Sequence, residues 1–284
     1  SDMHLVVAAG GGERDVAVDE AVTAALTSAA PGASGPLLNE KLATELRPTL
    51  FLAQLSNLLA GNISIVHGVT GSSRTLMGEE EAAADAIRIA AARLAEGRGE
   101  IALVGGAFAS QRWDMVLLYA PGGVLWQGDY APISARGDAG GLMLGAMAAF
   151  LVLETAEHAQ ARGAKALARI GAIASDAAHQ RAGGGSATAA AALWQGMAPA
   201  STAGLGVISG MTGVAEARVE EEAFLATLGS VPLRRSGSVL GHGVEASFPA
   251  NVALAALALS QNGFYPAMDP ADAGDGAVER NLVT

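Results

Sequence analysis

Apolar and polar positions along this chain change period repeatedly. His4 to Ala9 is a short unbroken apolar run, the mark of a buried strand. Gly10, Gly11 and Gly12 break it before an acidic amphipathic helix from about Glu13 to Ala29. Pro31 to Pro36 reads as a loop, and Leu50 to Gly61 as a buried helix carrying Leu50, Leu52, Leu55, Leu58 and Leu59. Ser73 to Met77 has the pattern of a short strand that Gly78 interrupts. Glu79, Glu80 and Glu81 then open a long alanine-rich helix that ends at Gly97. A second strand, Ile101 to Val104, runs into Gly105 and Gly106. Further strands are expected within Gly141 to Glu154, over Ala166 to Ser175 and over Leu205 to Ser209. The small-residue run Ala182 to Ala192 opens a helix reaching about Met197, and Ala246 to Leu259 is apolar on nearly every side, as in a buried helix.

The strand-to-helix turn at Gly78 carries the most chemistry. A residue there stands beside a helix N-terminus, whose free N–H groups and positive dipole end favour anions or a developing oxyanion. Acidic residues in a first helical turn are also ordinary: they stabilise by roughly 0.3–1 kcal/mol each and usually face water. The first glycine turn could cradle a phosphate, but its spacing is not G-x-G-x-x-G.

Composition narrows the function. With 51% hydrophobic and 16% charged residues in 284, the chain has the make-up of a well-buried globular protein. A net charge of −11 disfavours nucleic acid as a partner. The absence of cysteine removes disulfides, thiolate metal sites and thiol catalysis together. The five histidines are His4, His67, His158, His179 and His242, and no two stand at metal-ligand helical spacing. No metal or other cofactor is expected. The longest apolar runs, such as Val252 to Leu259, fall short of the roughly 20 residues of a membrane span. With no basic stretch at the start, a cytoplasmic location is the expectation.

Three blocks of residues resemble the β-ketoacyl-acyl-carrier-protein synthases of the thiolase superfamily. The first runs without a gap from Gly61 to Ala107, with glycines at 68 and 71, the strand, the elbow, and Val104-Gly105-Gly106-Ala107. The second is Val152-Leu153-Glu154 followed by His158-Ala159 and Arg162-Gly163-Ala164. The third is Ser238 to Glu245, SVLGHGVE. The resemblance covers roughly Leu5 to Pro270. It implies an α/β thiolase-like fold of two related βαβ halves in α/β/α/β/α layers, residues 1–165 and 166–284. It also implies that the family's first strand-helix unit and its late Gly-Phe-Gly-Gly loop are lacking.

The resemblance assigns site positions as well. Glu80 falls on the nucleophilic cysteine, Gly210 on one catalytic histidine and Gly237 on the lysine, while His242 keeps the second histidine. On the residues alone, His158 reads as a surface residue on a polar helix face. A degenerate site of this kind implies a protein of fatty acid or polyketide chain elongation. It resembles the chain-length-factor subunits, which pair with an active synthase and shape its acyl tunnel. Its partners would be acyl carrier protein or an acyl thioester, and a second subunit in a homodimer or heterodimer across the strand at Ser73–Met77. An active synthase or malonyl-carrier decarboxylase working through His242 and the elbow N–H groups is an alternative, as is an unrelated α/β binding protein.

Overall fold

The computed structural model describes residues 2–176, 185–197 and 201–284. Its elements, in chain order, begin with β1 (His4–Ala8), α1 (Val16–Thr27), α2 (Ser34–Glu45), α3 (Pro48–Ala53), α4 (Asn57–His67), β2 (Ser73–Leu76), α5 (Glu79–Ala95) and β3 (Ile101–Phe108). The middle of the chain holds α6 (Trp113–Tyr119), β4 (Met147–Glu154) and α7 (Ala156–Ala161). The rest comprises α8 (Gly185–Gly196), β5 (Leu205–Ser209), α9 (Ala215–Ala226), β6 (Leu233–Arg235), α10 (Gly237–Leu240), α11 (Ser247–Gln261) and β7 (Arg280–Val283).

The strands form two sheets, ordered β2-β1-β3-β4 and β6-β5-β7. β1 pairs in parallel with β2 and β3, and β5 likewise with β6 and β7. In each sheet a central strand leads out to an edge strand, and one long helix returns from that edge to the strand on the other side. That helix is α5 in the first sheet and α11 in the second. The two halves are thus the same parallel crossover unit used twice, and α5 packs against α11 between the sheets. α4 covers the outer face of the first sheet, while α8 and α9 cover the second.

β1 shows why the layers stack this way. Its residues are buried on both faces: Val6 joins α5 with Ala86, Ile87, Ala90 and Leu94, whereas Leu5 and Val7 join α4 with Ala60. Alternate side chains of one strand therefore belong to two layers, and an unbroken apolar run is the pattern that a doubly covered parallel strand requires. The alanines of α5 (Ala82, Ala83, Ala86, Ala90) bring the helix close to the sheet. The pair Gly105-Gly106 serves close approach on β3. A Cβ at Gly105 would lie 2.1 Å from Ala149 O of β4, and one at Gly106 would lie 2.5 Å from Glu245 O.

Several expectations need correction. Residues 31–36 are not all loop, since α2 begins at Ser34. Leu50 to Gly61 is not one buried helix: α3 and α4 divide it, and Leu52, Leu55 and Leu58 are exposed, with Ile65 and Val66 exposed further along α4. Those residues face outward because α4 meets the sheet through Leu59, Ala60 and Ile63 instead. Ala166 to Ser175 forms no strand. It pairs with no described strand, and most of it is exposed; without a ladder the apolar alternation leaves only an irregular path. α11, by contrast, is buried or half-buried from Ser247 to Ala256 as its all-round apolar pattern suggests, packed against α5 and strands of both sheets, and only Leu257, Ser260 and Gln261 near its end are exposed. The small-residue helix starts at Gly185, and the expected lead-in at 182–184 lies outside the described residues.

Candidate functional site

The site lies where α5 begins. β2 ends at Leu76, and the chain turns through Gly78, at φ 149°, and Glu79, at φ 54°. A non-glycine residue at such a φ stores strain, and strained positions of this kind cluster at functional turns. The turn delivers Glu80 to the first helical turn, where its Oε1 accepts a 2.6 Å hydrogen bond from His242 Nε2. These two residues stand 162 positions apart in the chain, so only the stacking of the two halves brings them together. A carboxylate offers no donor, which places the imidazole proton on Nε2.

His242 is held by its loop rather than by a helix. Its N–H donates to Met143 O at 2.7 Å, and its carbonyl accepts from Gly145 N–H at 2.9 Å. Gly241 turns the chain at φ 72°, and a Cβ at Gly145 would fall 1.9 Å from Leu240 O. The loop at Met143–Gly145 and the loop at His242 therefore interlock, and the imidazole is buried at 5% exposure. Glu80 is more open, with 52% of its side chain exposed. It sits at a half-open elbow and not at the end of a buried pocket. The hydrogen bond from His242 holds its carboxyl below the usual range, and its own backbone N–H adds to this against the opposing effect of burial.

Three residues to which the sequence assigned no role surround the pair. Glu245 is 5% exposed, and burial pushes its carboxyl up, with Glu80 and Glu79 adding like-charge repulsion. It lies against the first glycine turn, its Oε1 only 2.6 Å from where a Gly10 Cβ would stand. Tyr119, at the end of α6, is pushed up to about 12, chiefly by burial and then by Glu80, Glu79 and Glu245. Its hydroxyl is buried without a partner among the described residues. Arg112 donates to Gly11 O at 2.6 Å and to Gly12 O at 2.8 Å, and it pairs with Asp114. The glycine turn is thus no phosphate cradle: its carbonyls face a guanidinium, Gly12 packs against the backbone of Ala53, and a carboxyl fills the space at Gly10. The one signal for Glu245 was its place three residues after His242 in the third block.

Gly210 and Gly237 do not leave vacancies. Gly210 N–H donates to Thr284 O at 2.9 Å, and a Cβ there would lie 2.7 Å from that oxygen and 3.1 Å from Asn251 Nδ2. At Gly237 a Cβ would lie 2.6 Å from Met211 O and 3.0 Å from Ile133 Cδ1. Backbone occupies the place each side chain would need. His158 acts structurally, since its Nδ1 donates to Glu154 Oε2 at 2.8 Å and Arg162 holds the same carboxylate. Arg162 first, then His158, bring Glu154 down to about 2. The second sequence block therefore fastens α7 to β4 through the Glu154 carboxylate. Among the described residues no three carboxylate or imidazole groups could hold a metal, and no helix is long and apolar enough to cross a membrane.

Comparison with solved structures places this geometry among relatives. The chain superposes on a type II polyketide acyl-carrier protein complex with its ketosynthase (AntDE:AntF) with a TM-score of 0.73 at 18% identity, covering 100% of this chain and 75% of that one. For the ishigamide ketosynthase/chain length factor the TM-score is 0.71 at 17% identity, covering 100% and 72%. A β-ketoacyl synthase from Burkholderia phymatum STM815 gives 0.72 at 21%, covering 99% and 71%. At these identities the likeness establishes the thiolase-like fold. Nodulation protein E of Rhizobium leguminosarum bv. trifolii is 35% identical over 114 residues, which are 40% of this chain and 28% of that protein. The aligned part thus spans less than a third of that relative. Residues 7–159, more than half of the chain, match the family described as β-ketoacyl synthase, N-terminal domain, a stretch that contains the end of β1, the Gly78 turn, Glu80 and the Glu154–His158 pair. With its fold and that match in agreement, the chain belongs to the β-ketoacyl synthase family.

Proposed function

We propose that this chain is a chain-length-factor-like subunit of fatty acid or polyketide elongation, catalytically degenerate and paired with an active ketosynthase. One observation carries the reading: the elbow presents a carboxylate, Glu80, hydrogen-bonded to His242 at 2.6 Å, in a chain without a single thiol. Condensation by acyl transfer needs a nucleophile that forms a persistent ester at the helix N-terminus. A carboxylate would form an anhydride, which hydrolyses readily. The likeness to a ketosynthase/chain length factor structure supports the same reading.

The pairing would use the edge of the first sheet. β2 is an edge strand with Ser73 and Arg74 exposed, so its outer ladder is open to a second subunit. An acidic acyl carrier protein would then reach the pair through the active partner, since this chain is itself strongly acidic.

The test is direct. After incubation with an acyl-carrier thioester, intact-mass measurement of the isolated chain should show no acyl adduct, whereas co-expression with an active ketosynthase from the same source should yield a heterodimer. A stable acyl mass on any residue would overturn the proposal. The decarboxylase reading needs His242 free to meet a substrate carboxylate, and Glu80 occupies its Nε2. Carbon dioxide release from malonyl carrier protein by the isolated chain would nevertheless establish it.

A further inference from the structure

The chemistry of the elbow has changed by more than one substitution. A helix N-terminus and a neighbouring imidazole are the two devices that ordinarily favour a thiolate. Both are present here, in the first turn of α5 and in His242. Against them stand carboxylates contributed by separate elements. Glu79 and Glu80 come from α5, and Glu245 comes from the turn at Val244–Ala246 that packs on α5 and β3. From α6 comes Tyr119, whose buried hydroxyl has no partner among the described residues. Arg112, the cation that acts on Glu245, is committed to Asp114, Gly11 O and Gly12 O.

Resting on the degenerate-subunit reading above, we infer that Glu245 is the residue that sets the elbow against thiolate chemistry. A nucleophile restored at position 80 stays a neutral thiol until Glu245 is replaced as well. The geometry supplies the reason. Glu245 is locked in place: its backbone carbonyl sits against Gly106, its carboxyl against Gly10, and a side chain at either glycine would collide with it. It is 5% exposed, so water screens it poorly. The turn that carries it is strained, with Val244 at φ 44° and fully buried, which is the signature of a position fixed by its surroundings. Its carboxyl already resists ionisation beside Glu80 and Glu79. A thiolate at 80 would form beside this fixed, poorly screened carboxyl, whose negative charge opposes it.

The chain holds no cysteine, so a single introduced thiol reports without background. The experiment follows thiolate formation in Glu80→Cys by iodoacetamide alkylation rate and by ultraviolet thiolate absorbance across a pH titration, beside Glu80→Cys/Glu245→Gln. Glu81→Cys, on the exposed side of the same helical turn, serves as the control. The expected midpoint for Glu80→Cys lies above the ~8.5 of free cysteine, and the second substitution lowers it by about one unit. The control titrates at or below the free value. A Glu80→Cys midpoint at or below the ~8.5 of free cysteine, or one that Glu245→Gln leaves unchanged in a folded protein, would overturn the inference. If Glu80→Cys/Glu245→Gln fails to fold, the Glu80→Cys midpoint measured against the Glu81→Cys control decides the matter alone. This outcome is separable from the functional proposal: an elbow thiol that ionises readily refutes the role of Glu245 only, whereas acylation of the unaltered chain refutes the subunit reading only.

Discussion

Replacing Glu80 by alanine tests the geometry of the elbow most sharply. The change removes the acceptor of a 2.6 Å hydrogen bond and leaves the Nε2–H of a 5% exposed imidazole without its partner. A hydrogen bond to a charged group is worth roughly 1.5–3 kcal/mol when shielded. Because 52% of the Glu80 side chain meets water, a discount to about 1 kcal/mol is warranted. For a protein of this size that corresponds to a fall in Tm of about 2–4 °C. Glu80→Gln keeps a neutral acceptor and should lose about half as much. The pH dependence follows from the direction of the shift. The folded carboxyl lies below its ordinary value of 4.5, so its contribution is fully present above that value and is lost as pH falls through the lower folded value. Calorimetric scans should therefore show the full Glu80→Ala deficit near neutral pH and a shrinking one below about pH 4.5. A His242→Gln background should abolish most of the deficit. Equal melting of Glu80→Ala and the parent near neutral pH, or a deficit that is the same in both backgrounds, would refute the reasoning.

Further outcomes follow from the packing. Gly210→Ala should cost about 1–3 kcal/mol, because its Cβ would press on Thr284 O at 2.7 Å, while Gly61→Ala in α4, with nothing within 4 Å, should gain about 0.5–1 kcal/mol; chemical denaturation of the two variants checks the contrast. Arg234 is 1% exposed and donates to the carbonyls of Leu233, Tyr265, Ala273 and Gly274 as well as to the 88% exposed Asp275. Asp275→Ala should thus shift stability by less than about 1 kcal/mol, and Arg234→Ala by about 3 kcal/mol or more, measured in the same way. Arg74→Glu on the open edge of β2 should weaken association at micromolar concentration, read by sedimentation; unchanged sedimentation of a dimer would place the interface elsewhere.

Much of the first half was legible in the sequence because its signals are local. The unbroken run Leu5–Ala8 announces a strand covered on both faces, and Gly78 followed by three glutamates marks a helix start without reference to any other part of the chain. The same holds for β5, whose five apolar and small residues are all buried. Where the pattern misled, burial depended on neighbours. The leucines of α3 and α4 have helical spacing, yet which of them faces a core is set by how the helices sit on the sheet: Leu59 packs on it with Ala60 and Ile63, whereas Leu52, Leu55 and Leu58 are exposed. Residues 166–175 have strand composition, but a strand exists only if a partner supplies its ladder.

The site divides along the same line. The residue types at Glu80, Gly210, Gly237 and His242 were determined by the sequence alone, and with them the absence of any thiol. That Glu80 touches His242, 162 positions away in the chain, was decided by the stacking of the two crossover units. The part played by Glu245 was decided there too. As a letter three residues beyond a histidine it carries only a weak signal of place and none of role. It acquires a role only when the turn at Val244–Ala246 drives it between Gly10 and Gly106 beside the start of α5, since a carboxyl's chemistry is set by the water it loses and the charges it meets, and both are properties of tertiary packing.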